Sequence, residues 1–213
     1  SVAVAIGDSA DKLIANITPK INNIKVGPYN DETTDMGPVV SKDAYERIHG
    51  LIDSGVEEGA NLIVDRRNIK LQGYENGYFI GPCLFDNVKD NMKIYKEEIF
   101  GPVLSIVRAK NYEEGLQLVK DNPYGNGCSI FTRDGDTARN FSSEANIGMV
   151  GVNIPIPVPV AYFSFGGWKN SIFGGHNAYG MEAIRFYTHT KTITSKWPEG
   201  IRSGAQFTMP TLG

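Results

Sequence analysis

Cysteine is scarce in this sequence: Cys83 and Cys128 are the two thiols among 213 residues, with no CxxC pair and no histidine beside either. That excludes a disulfide scaffold and a thiolate zinc site, and it suits a reducing cytosol, so a cytoplasmic location is expected (the mitochondrial matrix in a eukaryote). Histidine is nearly as rare, and His49, His176 and His189 are not spaced as metal ligands. No metal site is therefore expected, and His49, on a predicted helix, should simply be exposed. Basic charge has no surplus, since 21 Lys and Arg stand against 24 Asp and Glu, and nucleic acid is an unpromising partner. Long apolar runs are missing, so no helix is expected to span a membrane, and no basic segment leading into an apolar one marks the chain for secretion. The GxGxxG and Walker A phosphate loops are absent, as are internal repeats and low-complexity segments.

What is present suffices for a packed core, at 41% apolar residues. Residues 1–6 already read as a buried strand with no Met, cap or leader, which suggests a piece of a longer protein. Leu13, Ile14, Ile17, Ile21 and Ile24 then recur at helical spacing, with Asp8 or Ser9 as N-cap and Pro19 expected to kink or interrupt the helix. Ser41 and Asp43 open a second helix with Tyr45, Ile48, Leu51 and Ile52 on its apolar face, closed by Gly55 and Gly59. Short strands are predicted at 62–64, 78–80, 83–85, 103–107, 127–132 and 148–152. Helices are predicted around Leu116 and Phe141, the former ended by Asn122-Pro123. Such alternation predicts an α/β fold with a mostly parallel sheet flanked by helices.

Sites in such sheets lie at the carboxyl ends of strands. That draws attention to Asn153, which ends strand 148–152. Pro155, Pro157 and Pro159 keep the next segment extended and out of any central strand. Phe163 to Trp168 sets three aromatics beside paired glycines, either a surface loop with aromatic anchors or a pocket wall that backbone can approach closely. A last helix is predicted around Met181 to Tyr187. Residues 191–197 are β-prone with alternating Lys, as expected of an edge strand that a partner copy can borrow, and the tail 198–213 is expected to be loose or docked on a neighbour.

The stretch Lys96-Glu97-Glu98-Ile99-Phe100-Gly101-Pro102 runs two carboxylates into an apolar pair and a Gly-Pro turn before a strand. On spacing alone it reads either as a solvated turn or as a charge pair at a strand end, pointed into a crevice.

Glu97 to Val103 resembles the EEIFGPV signature of the aldehyde dehydrogenase superfamily. Asn122 to Gly127 resembles its NPYGNG segment, Gly151-Val152-Asn153 its GxVN element, and Phe165-Gly166-Gly167-Trp168-Lys169 its FGGxK element. The four motifs occur in register over almost the whole chain. Residues 153–159, Phe163-Ser164-Phe165, Tyr74 to Gly77 and the ending Met209 to Gly213 are most similar to the CoA-acylating methylmalonate-semialdehyde dehydrogenases.

The resemblance implies oxidation of malonate or methylmalonate semialdehyde with NAD, with CoA as co-substrate and acetyl- or propionyl-CoA released. It implies that Glu98 accepts hydrogen bonds from the nicotinamide ribose and that Phe100 lies beside the nicotinamide. It further implies that Phe165 belongs to the aldehyde-side tunnel, supported by Asn153, and that the intact enzyme is a dimer or tetramer. By the same resemblance, residues 1–189 form part of a catalytic domain and 190–213 an oligomerisation strand and tail. The family's nucleophilic Cys matches neither Cys83 nor Cys128, both expected to be buried structural thiols, so this chain alone should be inactive. A non-catalytic assembly module of the same fold, or a hydrolytic aldehyde dehydrogenase, are the rival readings.

Overall fold

The computed structural model describes residues 2–177 and 179–197; the predicted tail 198–213 and Ser1 lie outside the described residues. Two compact units divide the chain, one of residues up to 123 together with 130–146, the other of 124–129 with residues from 147 on.

The first unit opens with β1 (Val2–Ile6) and α1 (Ser9–Asn23). The helix runs without a break through Pro19, against expectation. Proline withholds one backbone bond, but Leu13, Ile14, Ile17 and Ile21 all pack into one core cluster, and that tertiary seat outweighs the local defect. Asp8 takes the N-cap position without bonding the helix backbone, and its carboxylate goes to Lys12 at 2.6 Å. In α2 (Lys42–Glu57) the Ser41 hydroxyl accepts from the Ala44 N–H at 3.2 Å, the expected cap. Gly55 does not close α2: it lies inside, where an added Cβ would meet Ile94 Cδ1 at 2.8 Å and the Phe85 ring at 3.1 Å. Gly59, at φ +94°, is the terminator.

There follow β2 (Asn61–Val64), β3 (Cys83–Asp86), the single turn α3 (Lys93–Lys96), β4 (Val103–Ala109) and α4 (Tyr112–Asp121). The sheet order is β1-β4-β3-β2, with β1 and β3 parallel to β4 and β2 antiparallel to β3. Residues 78–80 form no strand. The Tyr78 carbonyl serves Val39 and the Gly81 N–H serves Arg66, so backbone bonding here goes to loops instead of a ladder.

Alternation along β4 sorts the core. Leu104 and Ile106 face α1, while Val103 and Val107 face α2 and the Leu118 side of α4. A bulge between Leu62 and Val64 lets Leu62 join the α2 side and Val64 the α1 side, two residues apart. On the α1 side Arg108 grips Asp86 with Nε at 2.9 Å and Nη2 at 2.8 Å, and Nη2 also reaches Asp11 at 2.6 Å. Helix α5 (Gly135–Glu144), capped by Asp134, closes this unit with Phe141 and Ala145 buried.

The second unit contains β5 (Tyr124–Gly125), all but the last residue of β6 (Gly127–Ile130), β7 (Met149–Val152), β8 (Trp168–Lys169) and α6 (Met181–Tyr187). Here β5 pairs with β8 and β6 with β7. Gly148 sits where a Cβ would meet the Gly167 backbone at 2.8 Å, so glycine is what lets these segments close on each other. Residues 154–159 enter no strand, in keeping with their prolines, and 191–197 form no strand within the chain.

Candidate functional site

The acidic turn lies before Val103, at the amino end of β4 and not at a carboxyl end. Its backbone is anchored at both ends. The Glu97 N–H bonds back to Lys93 at 2.9 Å, Arg47 of α2 donates to the Glu98 carbonyl at 3.1 Å, and the Pro102 carbonyl accepts from Cys83 at 2.8 Å. Between these anchors Ile99 is sunk into the core at 3% exposure.

The side chains diverge. The Glu97 carboxylate stands 4.0 Å from the Lys93 ammonium, a solvated helical pair of small energetic weight. The exposed Glu98 carboxylate makes no hydrogen bond or ion pair among the described residues. Phe100 is 78% exposed and holds φ at +50°, a left-handed conformation that costs a bulky residue about 1–3 kcal/mol. An aromatic ring in water, on a strained backbone, beside an unpaired carboxylate is a poor arrangement for stability. It is a good one for a ligand that offers a flat ring and hydroxyl donors.

In the second unit Asn153 directly follows β7 at φ +56°, which an asparagine tolerates. The half-buried Phe165 ring stacks on Tyr179 at 5.0 Å, and the Ser164 hydroxyl donates to the Tyr179 carbonyl at 2.9 Å. Those contacts fix the face that Phe165 presents. Lys169 is also left-handed, at φ +53°, and with Trp168, Ile172 and Asn177 it lines an open pocket of about 400 Å³ that includes neither Phe165 nor Asn153. The structure thus gives Lys169 a defined setting that its sequence position alone did not suggest. Arg47 was equally silent, because a basic residue on a helix normally reads as solvated.

Cys83 is 1% exposed, and burial pushes its thiol up to about 11. Cys128 is half-buried instead of fully buried, and burial again raises its thiol. At both positions burial disfavours the thiolate, the form that attacks a carbonyl. His49 is not simply exposed: its Nε2 is buried without a partner, its ring lies 4.4 Å from Tyr45, and burial followed by the Arg67 charge lowers its pKa. No group of three or more His, Cys, Asp or Glu among the described residues is placed to hold a metal ion, and no helix among them is long and apolar enough to cross a membrane.

The aldehyde dehydrogenase family model matches residues 2–193. The malonate-semialdehyde dehydrogenase of Pseudomonas aeruginosa is 53% identical over 100% of this chain and 43% of its own length. The acylating, mitochondrial methylmalonate-semialdehyde/malonate-semialdehyde dehydrogenase of Homo sapiens is 46% identical over 100% of this chain and 40% of its own length. Among solved structures, a provisional methylmalonate-semialdehyde dehydrogenase from Sinorhizobium meliloti 1021, complexed with NAD, superposes with a TM-score of 0.92 at 62% identity. The superposition covers 95% of this chain and 42% of that one. The chain therefore spans about two fifths of the length of the relatives it matches.

Proposed function

This chain belongs to the aldehyde dehydrogenase family, and we propose that it supplies the nicotinamide-side half of an NAD-dependent, CoA-acylating semialdehyde dehydrogenase. The proposed substrates are malonate and methylmalonate semialdehyde, released as acetyl- and propionyl-CoA. The observation that carries this reading is the unpaired, exposed Glu98 carboxylate next to the left-handed, exposed Phe100. A carboxylate has acceptor capacity for both hydroxyls of a ribose diol, and the Phe100 ring offers an apolar face to a nicotinamide. When bound, NAD accepts the hydride released as the aldehyde is oxidised. Phe165 and Asn153 are proposed to serve the aldehyde.

The nucleophile of this chemistry is a thiolate. Burial disfavours the thiolate at Cys83 and Cys128, which supports the proposal that the attacking cysteine is supplied by residues other than these and that the 213-residue chain by itself does not turn over aldehyde. Supplying it with NAD, CoA and malonate semialdehyde should give no NADH; formation at an enzyme-like rate would refute the point. Residues 190–213 are proposed as the strand and tail that join copies into a dimer or tetramer, with the protein in the cytoplasm or the matrix.

The deciding experiment is Glu98→Gln in the active enzyme that contains this sequence. Hydrogen bonds to a charged group contribute about 1.5–3 kcal/mol, so NAD affinity should fall about tenfold to a hundredfold. The melting temperature should stay put, because the carboxylate bonds no other described residue. Unchanged NAD affinity with lost stability would mark the carboxylate as structural. Product analysis with and without CoA separates the acylating reaction from a hydrolytic one.

A further inference from the structure

The turn that presents Glu98 and Phe100 rests on two consecutive residues of α2. Arg47 holds the Glu98 carbonyl at 3.1 Å from one side. Ile48, at 0% exposure, lies directly beneath Gly101. A Cβ built on Gly101 would meet Ile48 Cδ1 at 2.6 Å, Cγ1 at 3.0 Å and Cγ2 at 3.3 Å, so the Ile48 side chain is the surface on which the turn stops. Gly101 does not have a positive φ, and its backbone therefore asks for no glycine. What requires glycine there is the closeness of Ile48.

Phe100 is the strained residue, and strain persists only where the surroundings over-determine it. The surroundings here are the buried Ile99 on one flank and the Gly101–Ile48 contact on the other, continued by Val103 N–H bonding Gly101 at 2.8 Å. Ile48 and Ile99 belong to one core cluster with Ile94 and Val103, so the floor of the turn cannot drift.

We propose that Ile48 is a positioning residue for cofactor binding: seated against Gly101, it sets the height of the turn and thereby the reach of Glu98 and Phe100 toward NAD. The inference rests on the reading that this turn contacts NAD. Gly101→Ala raises the turn off α2, while Ile48→Val removes Cδ1, the atom nearest the added methyl.

The test is NAD binding by calorimetric titration, with thermal melting, in the enzyme that contains this sequence. Gly101→Ala should raise the NAD Kd about tenfold, and kinetically it should raise KM for NAD more than it lowers kcat. The double variant Ile48→Val/Gly101→Ala should return the Kd to within about threefold of the parent, the non-additivity expected of residues in contact. A double variant that binds no better than Gly101→Ala alone overturns the proposal, as does an unchanged Kd for Gly101→Ala. If Gly101→Ala fails to fold, Ile48→Val alone carries the test: a lowered floor should raise the Kd about twofold to threefold, and an unchanged Kd overturns it. Glu98→Gln separates the two readings. Weakened binding in Glu98→Gln with none in Gly101→Ala removes the positioning role only; unchanged binding in both removes the cofactor reading as well.

Discussion

Arg108 should matter to folding far more than its part exposure suggests. It stands on β4 and donates two parallel bonds to Asp86 on β3 and a third to Asp11 on α1, so one guanidinium joins two strands and a helix. The Asp86 side chain is 5% exposed, Arg108 33% and Asp11 74%. Arg108→Met keeps the stem that covers the α1 side but leaves the Asp86 carboxylate with little beyond the Asn87 N–H at 2.7 Å. Breaking a fully buried pair costs about 3–5 kcal/mol, and the water that reaches Arg108 lowers this to about 2–3 kcal/mol. Asp11→Ala touches an exposed partner and should stay within about 1 kcal/mol.

The pH dependence has a definite sign. The Arg108 hydrogen bond holds the Asp86 pKa below its ordinary value, against the opposing effect of burial. Its stabilisation is therefore complete above the unfolded carboxyl value near 3.9 and is lost as pH falls through the lower folded value. In Arg108→Met the carboxylate protonates more readily, so the gap between parent and variant should be widest at neutral pH and shrink below about pH 4. Urea unfolding of the chain followed by circular dichroism at pH 7 and pH 3.5 measures both effects. Arg108→Met within 0.5 kcal/mol of the parent (roughly the scatter of neutral surface changes), or a gap unchanged between the two pH values, would refute the reasoning.

Gly55→Ala should destabilise by about 1–3 kcal/mol despite alanine's better helix propensity, because the methyl runs into Ile94 and Phe85; the same urea titration reads it, and a stabilised variant would mean that α2 can shift. Native Cys83, buried beneath Gly81 and Asp65, should react with a thiol reagent far more slowly than the half-buried Cys128, with both becoming equal in denaturant. Mass spectrometry of the partly labelled chain distinguishes the two sites.

Local pattern carried a good deal of this molecule. The period of Tyr45, Ile48, Leu51 and Ile52, the Ser41 cap, and the alternation of strands with helices all report interactions within a few residues, and each reappears in the structure. Four motifs in register were enough to identify the family, and from them come the roles proposed for Glu98, Phe100, Phe165 and Asn153. Elsewhere local signals misled. Pro19 predicted a break because propensity omits the sheet on which α1 rests, and residues 78–80 predicted a strand because β-propensity does not say whether a neighbour offers a ladder.

What only the tertiary structure decided depends on residues far apart in the chain. The bulge that turns Val64 to the opposite face from Leu62 is set by pairing with β3. Arg108 meets Asp86 and Asp11 across 22 and 97 positions. In the acidic turn the sequence determined which chemistry was on offer, a carboxylate and an aromatic ring side by side. Where they stand is decided by α2, because a backbone held left-handed at Phe100 and a glycine pressed against Ile48 follow from how closely two segments approach, and no stretch of sequence records that distance.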